Sequence, residues 1–404
     1  MERIALINPT SKRILKNFGD RPPLSLLYLG AILKSRRHIV KIIDMDHNDN
    51  STLLNILDNF NPKYVGISVY TSPIYKESIQ LAEMLKEKYK LIAGGYHSSS
   101  LPKTLTPYFD VVVIGEGEKA IVDIVENDLE GIVYGEKMNI ETIPFPARDM
   151  INMNEYSFKQ DRRPATTLLS SRGCPNFCVF CGNMNRQVRY HPIQRVVEEV
   201  KQLKKMGYND LYFYDDNFVS NHRRTEALIT ELKDLKINYR ITTRAQTLNE
   251  YIVKKLKESG CSWISLGIES GVDERLNDVN KHMTTQDNLN AVKLLHKHNI
   301  KIKGFFMFGL PNESVEDAEQ TIKFSKKLKE EGLTSADFYI MMPFPGTPIW
   351  NTPERYGIEI LDRDYTKYLE AGIETPKAYH KTKFMLPQEI EEMRNLADEE
   401  WQKN

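Results

Sequence analysis

The chain has 404 residues, 41% of them hydrophobic and 10% aromatic, which is enough for two or three packed domains and lacks the bias of a disordered chain. Its 55 Lys and Arg match 55 Asp and Glu, so no net field gathers nucleic acid or an anionic membrane surface. The start MERIALINPTSKR lacks the apolar core of a signal peptide and no later apolar run reaches the roughly 18 to 20 residues of a membrane-spanning helix, so the expected location is the cytoplasm.

From the N-terminus, apolar runs alternate with amphipathic stretches: RIALIN, PLSLLYLGAILKS, IVKIIDM, LLNILDNF, YVGISV, YKESIQLAEMLKEK, KLIAGG and VVVIGEG. Runs rich in Val and Ile on both faces predict a buried parallel sheet flanked by helices, a doubly wound (Rossmann-like) domain over residues 1–135. Pro144, Pro146 and Pro164 interrupt the next stretch, which reads as a linker over 136–165. The rhythm then resumes with TLLSS, a helix near 193–206, DLYFYDD, a helix near 223–235, NYRITTR, a helix near 248–259, WISLGIES, GFFMFGL and DFYIMMPF. Six βα units over 166–350 predict a partial TIM-like (β/α)6 barrel, whose strand C-terminal ends carry the chemistry. A short C-terminal extension over 351–404 ends in a charged amphipathic helix, LPQEIEEMRNLADEEWQKN, and its Tyr365, Tyr368 and Trp401 read as packing residues. The fold class is α/β throughout.

Four cysteines in so long a chain do not make a disulfide scaffold, and Cys174, Cys178 and Cys181 crowd into the loop RGCPNFCVFCG directly after the strand TLLSS. Three thiolates close three corners of an iron-sulfur cubane and leave the fourth iron open. Structural zinc, the alternative for a Cys-rich loop, wants four ligands and paired CxxC knuckles. Cys261, in ESGCSWISLG, reads as a buried apolar residue.

This loop resembles the CxxxCxxC signature of the radical S-adenosylmethionine (SAM) superfamily. The resemblance implies that Cys174, Cys178 and Cys181 ligate a [4Fe-4S] cluster whose open iron chelates SAM. An electron from the cluster then cleaves the sulfonium to give a 5′-deoxyadenosyl radical. Phe180 matches the aromatic that lies against adenine. YDDNF at 214–218, TTRAQ around Arg244, GIESG at 267–271 and FMFGLPNE at 306–313 also resemble the family. A cationic, zwitterionic ligand needs carboxylates and a cation, which makes Asp216, Glu269 and Arg244 the candidate SAM contacts. Asp215 and Asp216 as caps of the next helix, and Arg244 as an ion-pair partner, are the structural alternatives. The GGE that follows the second strand in the family is replaced here by YDDNF.

The first domain resembles the cobalamin (B12)-binding domain that precedes the barrel in one large radical SAM class. The matching loops imply corrin contacts from Tyr70, Thr71 and Ser72, from Gly94, Gly95 and His97, and from Gly115, Glu116, Gly117 and Glu118. The chain lacks the DxHxxG of methionine-synthase-like domains, and His47 in DMDHND has the wrong spacing for an axial ligand. The resemblance implies a cobalamin-dependent methyltransferase, with a methyl group passing from methylcobalamin to an unactivated carbon, or to phosphorus, after the radical abstracts hydrogen. Its alternative is a radical oxidoreductase, cyclase or rearrangement enzyme whose first domain need not hold cobalamin. A methylthiotransferase would need further cysteines before Cys174, and there are none. Expected partners are a small-molecule, lipid or peptide substrate and an electron donor such as flavodoxin or ferredoxin.

Overall fold

The computed structural model describes residues 1–11, 20–70, 73–183, 185–368 and 377–403. The chain divides into two compact units, Met1–Phe158 with the segment that starts at Asp364, and Lys159–Arg363 with the C-terminal residues from 377.

In the first unit six parallel strands, β1 (Arg3–Asn8), β2 (Ile39–Asp44), β3 (Tyr64–Ser68), β4 (Lys90–Gly94), β5 (Val111–Gly115) and β6 (Gly131–Gly135), stand in the order β2-β1-β3-β4-β5-β6. Helices α1 (Leu24–Ser35) and α5 (Gly117–Asn127) pack together, while α2 (Asn50–Phe60) and α3 (Pro73–Leu85) close a core of Ile7, Val65, Ile67, Leu53, Leu57, Leu81 and Leu85. A fifth helix, α4 (Tyr96–Ser100), is a single turn. Strand β3 is buried at every position, as a sheet covered on both faces requires. The strand order reverses between β1 and β3, and in open α/β sheets ligands sit beyond the strand C-termini beside such a switch.

Residues 136–158, read from sequence as linker, pack on this unit: Ala147 N–H donates to Leu27 O at 3.0 Å, and the Tyr156 hydroxyl donates to Asp44 Oδ2 at 2.9 Å. Proline there breaks periodicity without freeing the chain. The segment 364–368 also returns to this unit and sets Tyr365 against His97 and Tyr75, with ring centroids 4.9 Å and 5.3 Å away.

The second unit is built on β7 (Arg163–Leu168), β8 (Asp210–Phe213), β9 (Asn238–Thr243), β10 (Cys261–Glu269), β11 (Lys301–Phe308) and β12 (Ser335–Ile340). All six are parallel and each pairs with its sequence neighbour; the short Lys159–Gln160 strand pairs antiparallel at the β7 edge. This is the strand order of a TIM barrel without closure. Strands β9 and β11 alternate in burial: Tyr239, Ile241, Ile302, Phe306 and Phe308 are buried, whereas Arg240, Thr242, Lys303, Phe305 and Met307 are half-buried on the other face. Helix N-termini are set by side chains. Thr284 and Asp287 make a capping box for α6 (Thr285–Lys297), and Ser314 and Asp317 make one for α7 (Val315–Glu330).

His97 is fully buried, its Nε2 is 2.8 Å from Thr104 Oγ1, and burial pushes its pKa down to about 4. The native state therefore takes up the proton near pH 4 and the unfolded chain near pH 6.5, so stability falls as pH drops through that window. Urea midpoints at pH 7 and 5 should show His97→Gln losing about 2 kcal/mol less than wild type over this interval.

Candidate active site

The loop 173–188 leaves the C-terminal side of β7 and is closed at its ends by a two-residue antiparallel ladder, Ser171–Arg172 against Arg189–Tyr190. Gly173 has φ +97°, and a Cβ there would lie 2.7 Å from Gln187 O and 2.8 Å from Asn185 O. Only glycine enters this loop. Inside it, Cys174 N–H donates to Asn185 O, Cys181 N–H to Cys178 O, and Val179 N–H to Val279 O, while Val179 O accepts from Ile349 N–H.

Each sulfur of the three clustered cysteines has its own donor. Asn176 Nδ2 lies 3.2 Å from Cys174 Sγ, Asn183 N lies 3.4 Å from Cys181 Sγ, and Arg244 Nη1 lies 3.5 Å from Cys178 Sγ. Burial pushes the Cys181 thiol up; the Asn183 N–H pulls it down, and the neighbouring Cys178 and Cys174 push it further up. A cubane binds three thiolates on three different irons, and hydrogen bonds to sulfur are the usual means of tuning it. The donor set therefore suits a [4Fe-4S] cluster. Cys261 starts β10, eight residues and roughly 26 Å of strand away from Glu269 at its other end, and is buried as an apolar residue.

Arg244 follows β9 and is buried, yet among the described residues its guanidinium has no carboxylate partner, and its Nε and Nη2 are buried without acceptors. Among the described residues it is thus no ion-pair partner, and two of its donors are buried and unused. Glu269 ends β10 at a break in register with β11, between Gly267 and Glu269, and its φ of +65° is left-handed. Such a break re-aims a side chain and, in a residue other than glycine, costs about 1–2 kcal/mol. Its Oε1 accepts from Lys281 Nζ at 2.6 Å, both side chains are buried, and its Oε2 is buried without a donor. Gly267 leaves the space for this pair, since a Cβ there would lie 2.4 Å from Glu269 Oε1.

Lys281 was missing from the sequence reading, and nothing local to it marks its role. The two aspartates of YDDNF do not cap the following helix, whose cap is Asn221. Asp215 is buried and accepts from Ser170 N–H, Ser170 Oγ and Ser171 Oγ at 2.5–2.7 Å, which fixes the end of β7. Asp216 is exposed and accepts from Gly173 N–H at 3.1 Å, one residue before the first cluster cysteine. Phe180 packs partly buried against Val179, Val279, Leu310, Met341, Ile349 and Ile358.

In the first unit the corrin-loop residues lie at the ends of β3, β4 and β5. Tyr70 is exposed after β3, and Thr71 and Ser72 lie outside the described residues. Gly94 ends β4 with open space where a Cβ would stand, and Gly95, at φ +124°, sits so close to Val69 O that a Cβ would be 2.8 Å away. Gly115 ends β5 at φ +91° and donates its N–H to Ser99 Oγ at 2.9 Å. Glu116 precedes α5, while Gly117 and Glu118 open it.

Two family models match the chain: one described as the radical SAM superfamily, over residues 168–325, and one described as a B12 binding domain, over residues 13–125. An uncharacterized methyltransferase of Pyrococcus horikoshii is 33% identical over 384 residues, covering 87% of this chain and 82% of the relative. The chain belongs to the radical SAM superfamily. It is a radical SAM enzyme of the class that carries a B12-binding domain ahead of the barrel. An anaerobic magnesium-protoporphyrin IX monomethyl ester cyclase of Rubrivivax gelatinosus is 25% identical over 390 residues, covering 87% of this chain and 69% of the relative. The radical SAM methyltransferase TsrM of Kitasatospora setae, solved with cobalamin and a [4Fe-4S] cluster, has the same fold: TM-score 0.70 at 17% identity, over 89% of this chain and 80% of that one. No helix of the described residues is long and apolar enough to cross a membrane.

Lys281→Met leaves the Glu269 carboxylate buried without its counter-charge and should destabilise the second unit by about 3–5 kcal/mol in urea unfolding. The double variant Glu269→Gln, Lys281→Met should recover most of that loss, because no buried charge remains.

Proposed function

We propose that this radical SAM enzyme is a cobalamin-dependent methyltransferase acting on an unactivated carbon, or on phosphorus, of a small-molecule, lipid or peptide substrate. The observation that carries the reading is the group of unused polar atoms beside a three-cysteine loop: the free Arg244 donors and the free Glu269 Oε2, with the exposed Asp216 bonded to Gly173 N–H and Asn183 nearby. When bound, the cluster and SAM supply a 5′-deoxyadenosyl radical and cobalamin supplies the methyl group.

Arg244 holds the SAM carboxylate beside Cys178, Glu269 accepts from a ribose hydroxyl, and Asp216 takes the place of the missing GGE toward the SAM amino group. Phe180 lies against the adenine. The backbone at Gly94, Gly95, Gly115 and Gly117, with Tyr70, Glu116 and Glu118, would receive the corrin; Thr71 and Ser72, the other residues of that set, lie outside the described residues. His97, expected among the corrin contacts, is instead fully buried against Thr104, Tyr75 and Tyr365, and supports those loops from within. The electron comes from a flavodoxin or ferredoxin, and the enzyme works in the cytoplasm.

The test is anaerobic reconstitution with iron, sulfide, hydroxocobalamin and SAM under a strong reductant. Retention of corrin through gel filtration, with formation of both 5′-deoxyadenosine and S-adenosylhomocysteine, is the expected outcome. The likeness to the cyclase keeps a second reading in view: 5′-deoxyadenosine without S-adenosylhomocysteine would make the chemistry cyclisation or oxidation. Arg244→Met should leave iron content unchanged and weaken SAM binding by about 10- to 100-fold, the loss of a charge-assisted hydrogen-bonded pair, as measured by equilibrium titration.

A further inference from the structure

The turn 309–313, GLPNE, follows β11 at the end of the sheet where the cluster loop lies. Gly309 has φ +77°, and the Glu313 carboxyl is buried and accepts from the N–H groups of Gly309 and Leu310, so the turn is tied from inside. Two further bonds come from the C-terminal segment. His380, buried in the short strand His380–Lys381, places Nε2 2.8 Å from Gly309 O, and because a carbonyl only accepts, the proton sits on Nε2. Thr382 Oγ1 donates to Glu313 O at 2.7 Å. The imidazole is flush with the turn, since a Cβ on Gly309 would lie 2.7 Å from Nε2.

What the turn presents is Leu310. It is fully buried and belongs to one apolar cluster with Val179, with Phe180 packed against it; those two residues separate Cys178 from Cys181. The strand paired with His380–Lys381, Glu359–Ile360, sets Ile360 against the same cluster. A displacement of the turn therefore passes through this shared apolar cluster to the span between Cys178 and Cys181.

We propose that His380 and Thr382 are positioning residues of the cofactor site: by holding the carbonyls of Gly309 and Glu313 they fix Leu310, and through it the seat of the second and third cluster cysteines and of SAM. The C-terminal segment is on this account a working part of the active site. The inference rests on the cluster assignment made above.

The experiment uses the full chain, reconstituted anaerobically, with variants His380→Leu, His380→Gln, Thr382→Val and Thr382→Ser. Iron content, circular dichroism, SAM affinity and the electron paramagnetic resonance spectrum of the reduced cluster with SAM are read for each. His380→Leu is expected to keep its iron and its fold, bind SAM about tenfold more weakly, and give an altered spectrum. His380→Gln, whose side-chain amide donates to the same carbonyl, is expected within about threefold of wild type. If His380→Leu does not fold, Thr382→Val, which removes the bond to Glu313 O together with the bonds the hydroxyl accepts from Phe384 and Met385 N–H, must show the same loss and the same spectral change, and Thr382→Ser, which keeps the hydroxyl, must not. Wild-type affinity and spectrum in the folded variants overturn the inference while leaving the enzyme class intact. Wild-type protein that takes up no [4Fe-4S] cluster contradicts the cluster assignment, and this inference with it.

Discussion

A loop that must offer three thiolates from eight residues and leave one iron open has no regular structure of its own to hold it. Here the restraint comes from outside. The two-residue ladder closes the loop, Gly173 admits the chain between two carbonyls, Asp216 holds the Gly173 N–H, and Val179 is bonded on both sides, to Val279 and to Ile349. Those partners lie after β10 and β12, so the order of the sheet strands is what brings the restraints to one place. Deep burial of Asp215 under Ser170 and Ser171 serves the same end, by fixing the strand from which the loop departs.

The polar atoms around that loop are arranged for a ligand more than for stability. A buried guanidinium with free donors and a buried carboxylate with a free oxygen are each costly to the apo fold, and Glu269 adds a left-handed backbone. Lys281 offsets part of this by neutralising the carboxylate on one side only. The unsatisfied halves are what the proposed SAM site uses. Similar logic applies in the first unit, where glycines at the ends of β4 and β5 keep backbone bare beyond the sheet.

Much of this was legible in the sequence wherever the signal is local. Periodicity carries the βα rhythm of both units, and the spacing of Cys174, Cys178 and Cys181, with the motifs around Arg244 and Glu269, carries the resemblance on which the proposed site is drawn. What was not legible depends on contacts far along the chain. Asp215 looks like a helix cap until Ser170, 45 residues earlier, is seen to be its partner. Prolines suggested a linker over 136–165, yet Tyr156 reaches Asp44 across 112 residues. Lys281 and His380 carry no local signal of their roles, because their partners Glu269 and Gly309 lie 12 and 71 residues away in the chain. Tertiary partners, not residue type, decide such roles.

The most direct test of the central claim is Mössbauer spectroscopy of protein reconstituted with iron enriched in the Mössbauer isotope, before and after SAM is added. The account predicts a four-iron cluster in which one iron alone changes its signal on SAM binding, as an iron without a cysteine ligand must. Four irons that stay equivalent in the presence of SAM would contradict it.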